Sequence, residues 1–229
     1  MKKKLSKRFK KLLDTSKDKK VETLEEALKK VKANCTSKFN ESIDISLNLN
    51  LKQKKEEVNL RTVVNLPNGN GKKVKVAVLC EESKAEDGKA SGAEIFGAET
   101  LVADITSGKI NFDKLIATPA MMSKMGKLGK ILGPKGLMPN PKLGTVTNDL
   151  KKAVKALKDG QIEIRNDKDG NLGVSIGKKD FTDDKIKENF NALIQTILKE
   201  KPNGIKGDFI LSSFLTSTMG ISYKLRVKG

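Results

Sequence analysis

Residues 118–147, TPAMMSKMGKLGKILGPKGLMPNPKLGTVT, constrain the fold more than any other stretch of this chain. They hold four of the six prolines, four of the six methionines, five glycines and five lysines, and no acidic residue occurs between Asp113 and Asp149. Gly133-Pro134, Gly136 and Pro139-Asn140-Pro141 stop any regular helix or central strand, because proline lacks an amide hydrogen and glycine loses the most freedom on ordering. A helical pattern survives only around 121–132. The stretch reads as a long, rigid, cationic surface loop pinned by Leu128, Ile131, Leu132, Leu137 and Met138. Loops of this length in compact domains often carry function, and the lack of acid points Lys124, Lys127, Lys130, Lys135 and Lys142 at an anionic partner. The bland alternative is a structural connector with solvated lysines.

A nucleotide site is the sharper enzymatic reading, but its spacing fails. Gly129-Lys-Ile-Leu-Gly133-Pro-Lys135 is not a GxxxxGK[ST] loop, and no hydroxyl follows the lysine to hold magnesium. Gly126-Lys-Leu-Gly129 and Gly133-Pro-Lys-Gly136 match the GXXG that grips nucleic-acid backbone in KH domains, a weak signal in a glycine-rich loop.

Charge widens the case for an anionic partner. Lys+Arg 46 against Asp+Glu 28 gives a net +18 over 229 residues, enough chain for one large or two small domains. Nucleic acid is the commonest partner of such an excess. No apolar run is long enough to span a bilayer, and the basic N-terminus lacks the apolar core of a secretory signal. With two cysteines, Cys35 and Cys80, and no histidine, most metal sites and every histidine-based triad are excluded. Reduced, buried thiols in a cytoplasmic protein are expected.

Residues 1–20 carry ten Lys/Arg and two acids. Leu5, Phe9, Leu12 and Leu13 fit one helical stripe, so this segment is a basic amphipathic helix or a solvated arm. Thr23-Leu-Glu-Glu26 is a capping box before the stripe Leu24, Ala27, Leu28, Val31, with Asn34 as the stop. Ile43, Ile45, Leu47, Leu49 and Leu51 then alternate with Asp44, Ser46, Asn48 and Asn50, which marks a strand with one wet face. A second strand is expected over 58–66.

After the turn cluster at 67–71 the character changes. The dense apolar run 74–80 suits a parallel strand covered on both faces. Residues 93–97, 101–107 and Lys114–Ala117 continue an alternating α/β pattern, and Leu150, Ala153, Val154 and Leu157 define a short helix closed by Asp159-Gly160. Half-wet strands return at 161–165, 172–177, 209–215 and 222–227, around a long helix capped by Thr182 and ended by Lys201-Pro202-Asn203-Gly204. Pattern alone supports an α/β chain with two characters of sheet; the short junctions near 67 and 160 suit the further inference of an α+β first domain with an antiparallel-type sheet from 1–67 and 160–229, and an inserted, Rossmann-like domain with a parallel-type sheet from 68–159. The inserted segment carries 16 Lys/Arg and 10 acids, and the rest 30 and 18, so most excess charge lies on the host domain.

Two small motifs remain. Lys38-Phe39-Asn40-Glu41-Ser42 enters the first wet strand, where Phe39 is either core or a platform for nucleic acid beside Lys38. Thr216-Ser-Thr-Met-Gly220 is either a plain turn or a place where hydroxyls and a bare backbone let ribose or phosphate approach. No catalytic constellation is present: Asp183-Asp184 sits at a helix start, where the dipole explains it.

Residues 127–147, KLGKILGPKGLMPNPKLGTVT, resemble the signature segment of the large-subunit ribosomal protein L-one family, the protein of the mobile ribosomal stalk. Lys38-Phe39-Asn40-Glu41-Ser42, Leu66-Pro67-Asn68-Gly69-Asn70-Gly71-Lys72, Phe112 to Pro119, Glu188-Asn189-Phe190 and Thr218-Met219-Gly220 resemble that family's landmarks, in its order. The resemblance implies direct binding to large-subunit rRNA, construction of the stalk, aid to exit-site tRNA release, and repression of the protein's own operon through its mRNA. It implies RNA contacts from Lys38, Phe39, Glu41, Ser212, Thr218, Met219 and Gly220, and no enzyme activity, metal, cofactor, membrane or small-molecule substrate. Ile221 stands where the family usually has proline, and Thr62 where it commonly has glycine. Two other readings stay open at this stage: an enzyme binding nucleotide in 68–159, and a free RNA-binding regulator.

Overall fold

The structure is a computed structural model that describes residues 5–15, 21–51, 60–81, 85–202, 205 and 207–227. Parts of the basic N-terminal segment (1–4, 16–20), residues 58–59 of the expected second strand and Asn203-Gly204 of the expected helix stop lie outside the described residues. In chain order, helices α1 (Lys7–Thr15) and α2 (Leu24–Ala33) precede strands β1 (Ser42–Leu49) and β2 (Arg61–Asn65). Strand β3 (Val76–Leu79), helix α3 (Ala85–Ala90), strand β4 (Ile95–Gly97), helix α4 (Glu99–Thr106) and strand β5 (Lys114–Ala117) follow. Two short helical pieces, α5 (Met122–Met125) and α6 (Gly129–Leu132), lead to helix α7 (Leu150–Lys158). The chain closes with β6 (Gln161–Arg165), β7 (Asn171–Lys178), α8 (Asp183–Lys199), β8 (Ile210–Ser217) and β9 (Tyr223–Leu225). Helices, antiparallel strands and parallel strands are all present, so the α/β class expected from the sequence holds.

The chain divides into two compact units, Met1–Gly71 with Glu163–Gly229, and Lys72–Ile162. The first contains an antiparallel sheet in the order β7-β1-β8-β9. Its period-two pattern works as read: Ile43, Ile45, Leu47 and Leu49 are buried, on the side where α2 packs on β8 and β9, and α8 on β7. The other face is polar. Asp44 lies opposite Ser175 and Thr216, Ser46 opposite Gly173 and Phe214, and Asn48 opposite Asn171 and Ser212. Strands β2 and β6 form a separate ladder, crossed by an Arg61–Glu163 ion pair at 2.7 Å. The turn after β2 is held from α8: buried Asn189 donates to the Gly69 and Ile176 carbonyls at 2.8 Å and accepts from the Asn68 amide at 3.0 Å. Every polar atom of that side chain's amide is thereby satisfied within the core.

In the second unit, β4, β3 and β5 form a parallel sheet with β3 central. Alternate side chains of the apolar run go to opposite layers. Ala77 and Leu79 join Leu101 and Ile105 of α4 on one face, while Val76, Val78 and Cys80 meet Leu150, Val154 and Leu157 of α7 on the other. The proline-glycine stretch completes the first layer. Met121, Met125, Leu128 and Leu132 are buried in it, and Ile131, Leu137 and Met138 pack against it. Their spacing of four, three and four residues is one helical face, carried through α5, α6 and intervening 3-10 turns at Pro119–Met121 and Gly126–Leu128. The stretch is thus a cover for the sheet as much as a loop.

The capping box at Thr23 and Glu26, the Asn34 stop and the Asp159-Gly160 closure of α7 are present. Thr182 occupies the N-cap position of α8 but its hydroxyl makes no capping hydrogen bond, which corrects the expected cap; Asp183 and Asp184 face the positive end of the dipole instead. The last two strands are offset from expectation, at Ile210–Ser217 and Tyr223–Leu225. Helix α3 gave no signal, since AEDGKA offers no apolar stripe. Cys35 and Cys80 are both buried and are not joined in a disulfide. No helix among the described residues is long and apolar enough to cross a membrane.

Candidate nucleic-acid interface

The two small motifs meet around one carboxylate. Glu41 is fully buried. Its Oε1 accepts the Ser37 amide at 3.0 Å and its Oε2 the Met219 amide at 3.1 Å. The loop before β1 and the turn after β8 are therefore tied to the same side chain, as the antiparallel pairing Ile43 opposite Ser217 requires. Burial alone would raise the Glu41 pKa, but these amides and the Ser37 and Ser217 hydroxyls outweigh it and hold the carboxyl below its ordinary value. The buried Ser217 hydroxyl itself has no hydrogen bond of good geometry; its effect on Glu41 is one of proximity. Glu41, expected among the contact residues, lies with no exposed surface behind the two segments it joins.

Thr218 is exposed, and its hydroxyl oxygen accepts the Ser42 amide at 3.0 Å while facing the Ser42 carbonyl at 3.4 Å. With its hydrogen turned to that carbonyl and one lone pair used, the hydroxyl keeps one lone pair open. At Gly220 a Cβ would come within 2.3 Å of the Ser217 hydroxyl, so the bare backbone is needed inside the protein itself. Ile221 is buried, with its carbonyl 3.4 Å from the Thr216 hydroxyl, and the Thr62 hydroxyl lies 3.4 Å from Glu200.

What this frame leaves outside is apolar and cationic. Phe39 is 52% and Met219 48% exposed, far above the core side chains of their type; Lys38, next to Phe39 in sequence, is exposed too. Of the two readings of Phe39, core is excluded. Ser212 is not part of this cluster. It shares the open sheet face, opposite Asn48, but Thr218 lies six positions on, or about 20 Å along the strand.

Sequence reasoning missed several supports of the loop. Lys179 Nζ donates to the Cys35 carbonyl at 2.9 Å, its amide to the Glu41 carbonyl at 2.9 Å, and Asn40 Nδ2 to Asp180 at 2.6 Å. Arg8 of α1 reaches the Thr36 hydroxyl at 3.0 Å and the Met219 carbonyl at 2.8 Å. No local pattern announces contacts between residues so far apart in the chain.

In the second unit Lys124, Lys127, Lys130, Lys135 and Lys142 are all exposed. The stretch itself is free of acid, but Lys124 pairs with Glu99 of α4, outside it, at 2.9 Å. Among the described residues, a cavity of about 280 Å³ at the start of α7 is lined by Asn148 to Lys152, one continuous segment.

A family model described as the Ribosomal protein L1p/L10e family matches residues 28–221, which takes in both motifs and the proline-glycine stretch. The chain belongs to this family. It is 59% identical over 223 residues to the large ribosomal subunit protein uL1 of Pelagibacter ubique (strain HTCC1062), covering 97% of each chain. It is 46% identical over 222 residues to the large ribosomal subunit protein uL1c of Phaeodactylum tricornutum (strain CCAP 1055/1), covering 97% of this chain and 96% of that one. Membership of the L1p/L10e family makes this a ribosomal protein of the large subunit, a structural role.

Proposed function

We propose that this protein binds large-subunit rRNA directly through the surface built on Glu41. The observation that carries the reading is the shared carboxylate: it presents Lys38-Phe39 and Thr218-Met219-Gly220 on one rigid frame, with two large apolar side chains left in water. An aromatic platform and a flexible thioether suit unstacked bases and a shallow groove. Thr218 supplies an acceptor for the 2′-OH that DNA lacks, and Lys38 supplies charge. The polar sheet face out to Ser212 extends the contact.

On this reading Met1–Gly71 with Glu163–Gly229 is the RNA-binding domain, and the segment between is an inserted domain whose lysines form a secondary electrostatic surface. The resemblance to the L-one family supports the finer roles: a place in the mobile stalk of the cytoplasmic ribosome, aid to release of exit-site tRNA, and repression of the operon when the same surface takes its mRNA. No catalysis is proposed. The test is co-sedimentation of the native protein with large subunits at moderate salt, with binding of a large-subunit rRNA fragment and of the same sequence as DNA. Retention on subunits and a clear RNA preference are expected; equal affinity for RNA and DNA, lost at moderate salt, would mark a nonspecific polycation.

A further inference from the structure

Helix α1 sits at this site for a reason that the RNA-contact residues do not explain. Arg8 spends both terminal nitrogens on protein acceptors, the Thr36 hydroxyl at 3.0 Å and the Met219 carbonyl at 2.8 Å. Those acceptors belong to the two segments that Glu41 joins from the inside. Arg8, Phe9 and Leu12 form the inward side of α1, with Leu12 buried and the other two half-buried. Lys7, Lys10 and Lys11 lie exposed on the rest of the helix. Their one acidic neighbour at helical spacing within α1 is Asp14.

We infer that α1 is a basic strut of the RNA interface, latched by Arg8 to the 218–220 turn so that Lys7, Lys10 and Lys11 meet the phosphates of the RNA held there. The partner is the RNA backbone next to the bases or riboses at Phe39 and Met219, because the helix is continuous with that surface through the Met219 carbonyl. Arg8 is a positioning residue. Its guanidinium fork holds two acceptors at once, which a lysine cannot do in one planar geometry. The inference rests on the rRNA-binding reading of the site.

Three full-length variants test it against one rRNA fragment over a range of salt: Lys7→Gln, Lys10→Gln and Lys11→Gln combined, Arg8→Gln, and Arg8→Lys. Each phosphate contact contributes ~0.7–0.9 to the slope of log affinity against log salt. The triple variant is expected to lower that slope by about 2 and to weaken binding at least about tenfold at low salt, with little change in RNA-over-DNA preference. Arg8→Gln is expected to lower the slope by more than one contact's worth, since unlatching the helix withdraws several lysines at once; Arg8→Lys should recover part of it. A triple variant with the wild-type slope overturns the strut, and an Arg8→Gln effect no larger than a single charge overturns the latch. Both leave the rRNA reading intact. A wild-type chain that does not bind rRNA overturns that reading and this inference together. Circular dichroism on each variant separates loss of contact from loss of fold.

Discussion

Glu41 Oε2 accepts the Met219 amide at 3.1 Å across 178 positions of sequence. Its other oxygen holds Ser37, so one carboxylate positions both halves of the surface. Glu41→Ala would leave two amides without their acceptor and open a cavity, whereas Glu41→Gln keeps the volume but turns a donor toward one of the amides. We expect the glutamine variant to lose about 1–3 kcal/mol in urea unfolding and to bind rRNA more weakly even where it is fully folded.

The same carboxylate sets a pH dependence. Because its folded-state pKa is depressed, Glu41 stabilises the fold fully above the unfolded value of about 4.3, and that contribution is lost as pH falls through the lower folded-state value. Asp44 has the opposite sign: burial raises its pKa, with the Ser175 hydroxyl opposing, so it costs stability at neutral pH and the cost is relieved on acidification. The difference in unfolding free energy between wild type and Glu41→Gln should be flat near neutrality and shrink below pH about 4. A difference constant down to pH about 3 would contradict the assignment to Glu41.

Gly220 and Ser217 should be coupled. A Cβ at 220 would meet the Ser217 hydroxyl at 2.3 Å but the Ser217 Cβ only at 3.5 Å, an ordinary contact. Gly220→Ala should therefore cost about 1–3 kcal/mol of stability in the wild-type background and distinctly less in Ser217→Ala. Equal costs in the two backgrounds, measured as a double-mutant cycle, would show that the hydroxyl is not the obstacle.

The proline-glycine stretch makes a different kind of prediction. Leu132 is fully buried in the layer over the parallel sheet, so Leu132→Ala should cost about 2–5 kcal/mol. Lys127, Lys130 and Lys135 are exposed, and their combined replacement by glutamine should leave thermal unfolding nearly unchanged while lowering the salt slope for RNA.

Much of this architecture was legible in the sequence, for identifiable reasons. The alternation from Ile43 to Leu49 named a strand with one wet face because, among the described residues, the helices α2 and α8 pack on the side of its buried residues. The dense run ending in Cys80 named a doubly covered strand because α4 and α7 lie on opposite faces. The pegs Leu128, Ile131, Leu132, Leu137 and Met138 were readable as apolar anchors, but not that they complete a core layer, since the target sheet is remote in sequence. In the candidate site, Phe39, Met219 and Glu41 were singled out through family landmarks. That Glu41 is buried, that the Thr218 hydroxyl is already engaged, and that Ser212 stands at the far end of β8 are facts of three-dimensional register. Arg8 left no trace in any local pattern.

The central claim is that rRNA is held by the apolar surface that Glu41 presents. Phe39 and Met219 are half exposed and lie outside the buried core, so Phe39→Ala with Met219→Ala should fold like wild type. Affinity of that double variant for a large-subunit rRNA fragment, measured in the full-length chain at moderate salt, is the most direct test. Stacking contributes ~1–3 kcal/mol per base, so a loss of roughly ten- to a hundredfold with an unchanged salt slope is predicted. Wild-type affinity in the double variant would contradict the claim and move the RNA surface away from this turn.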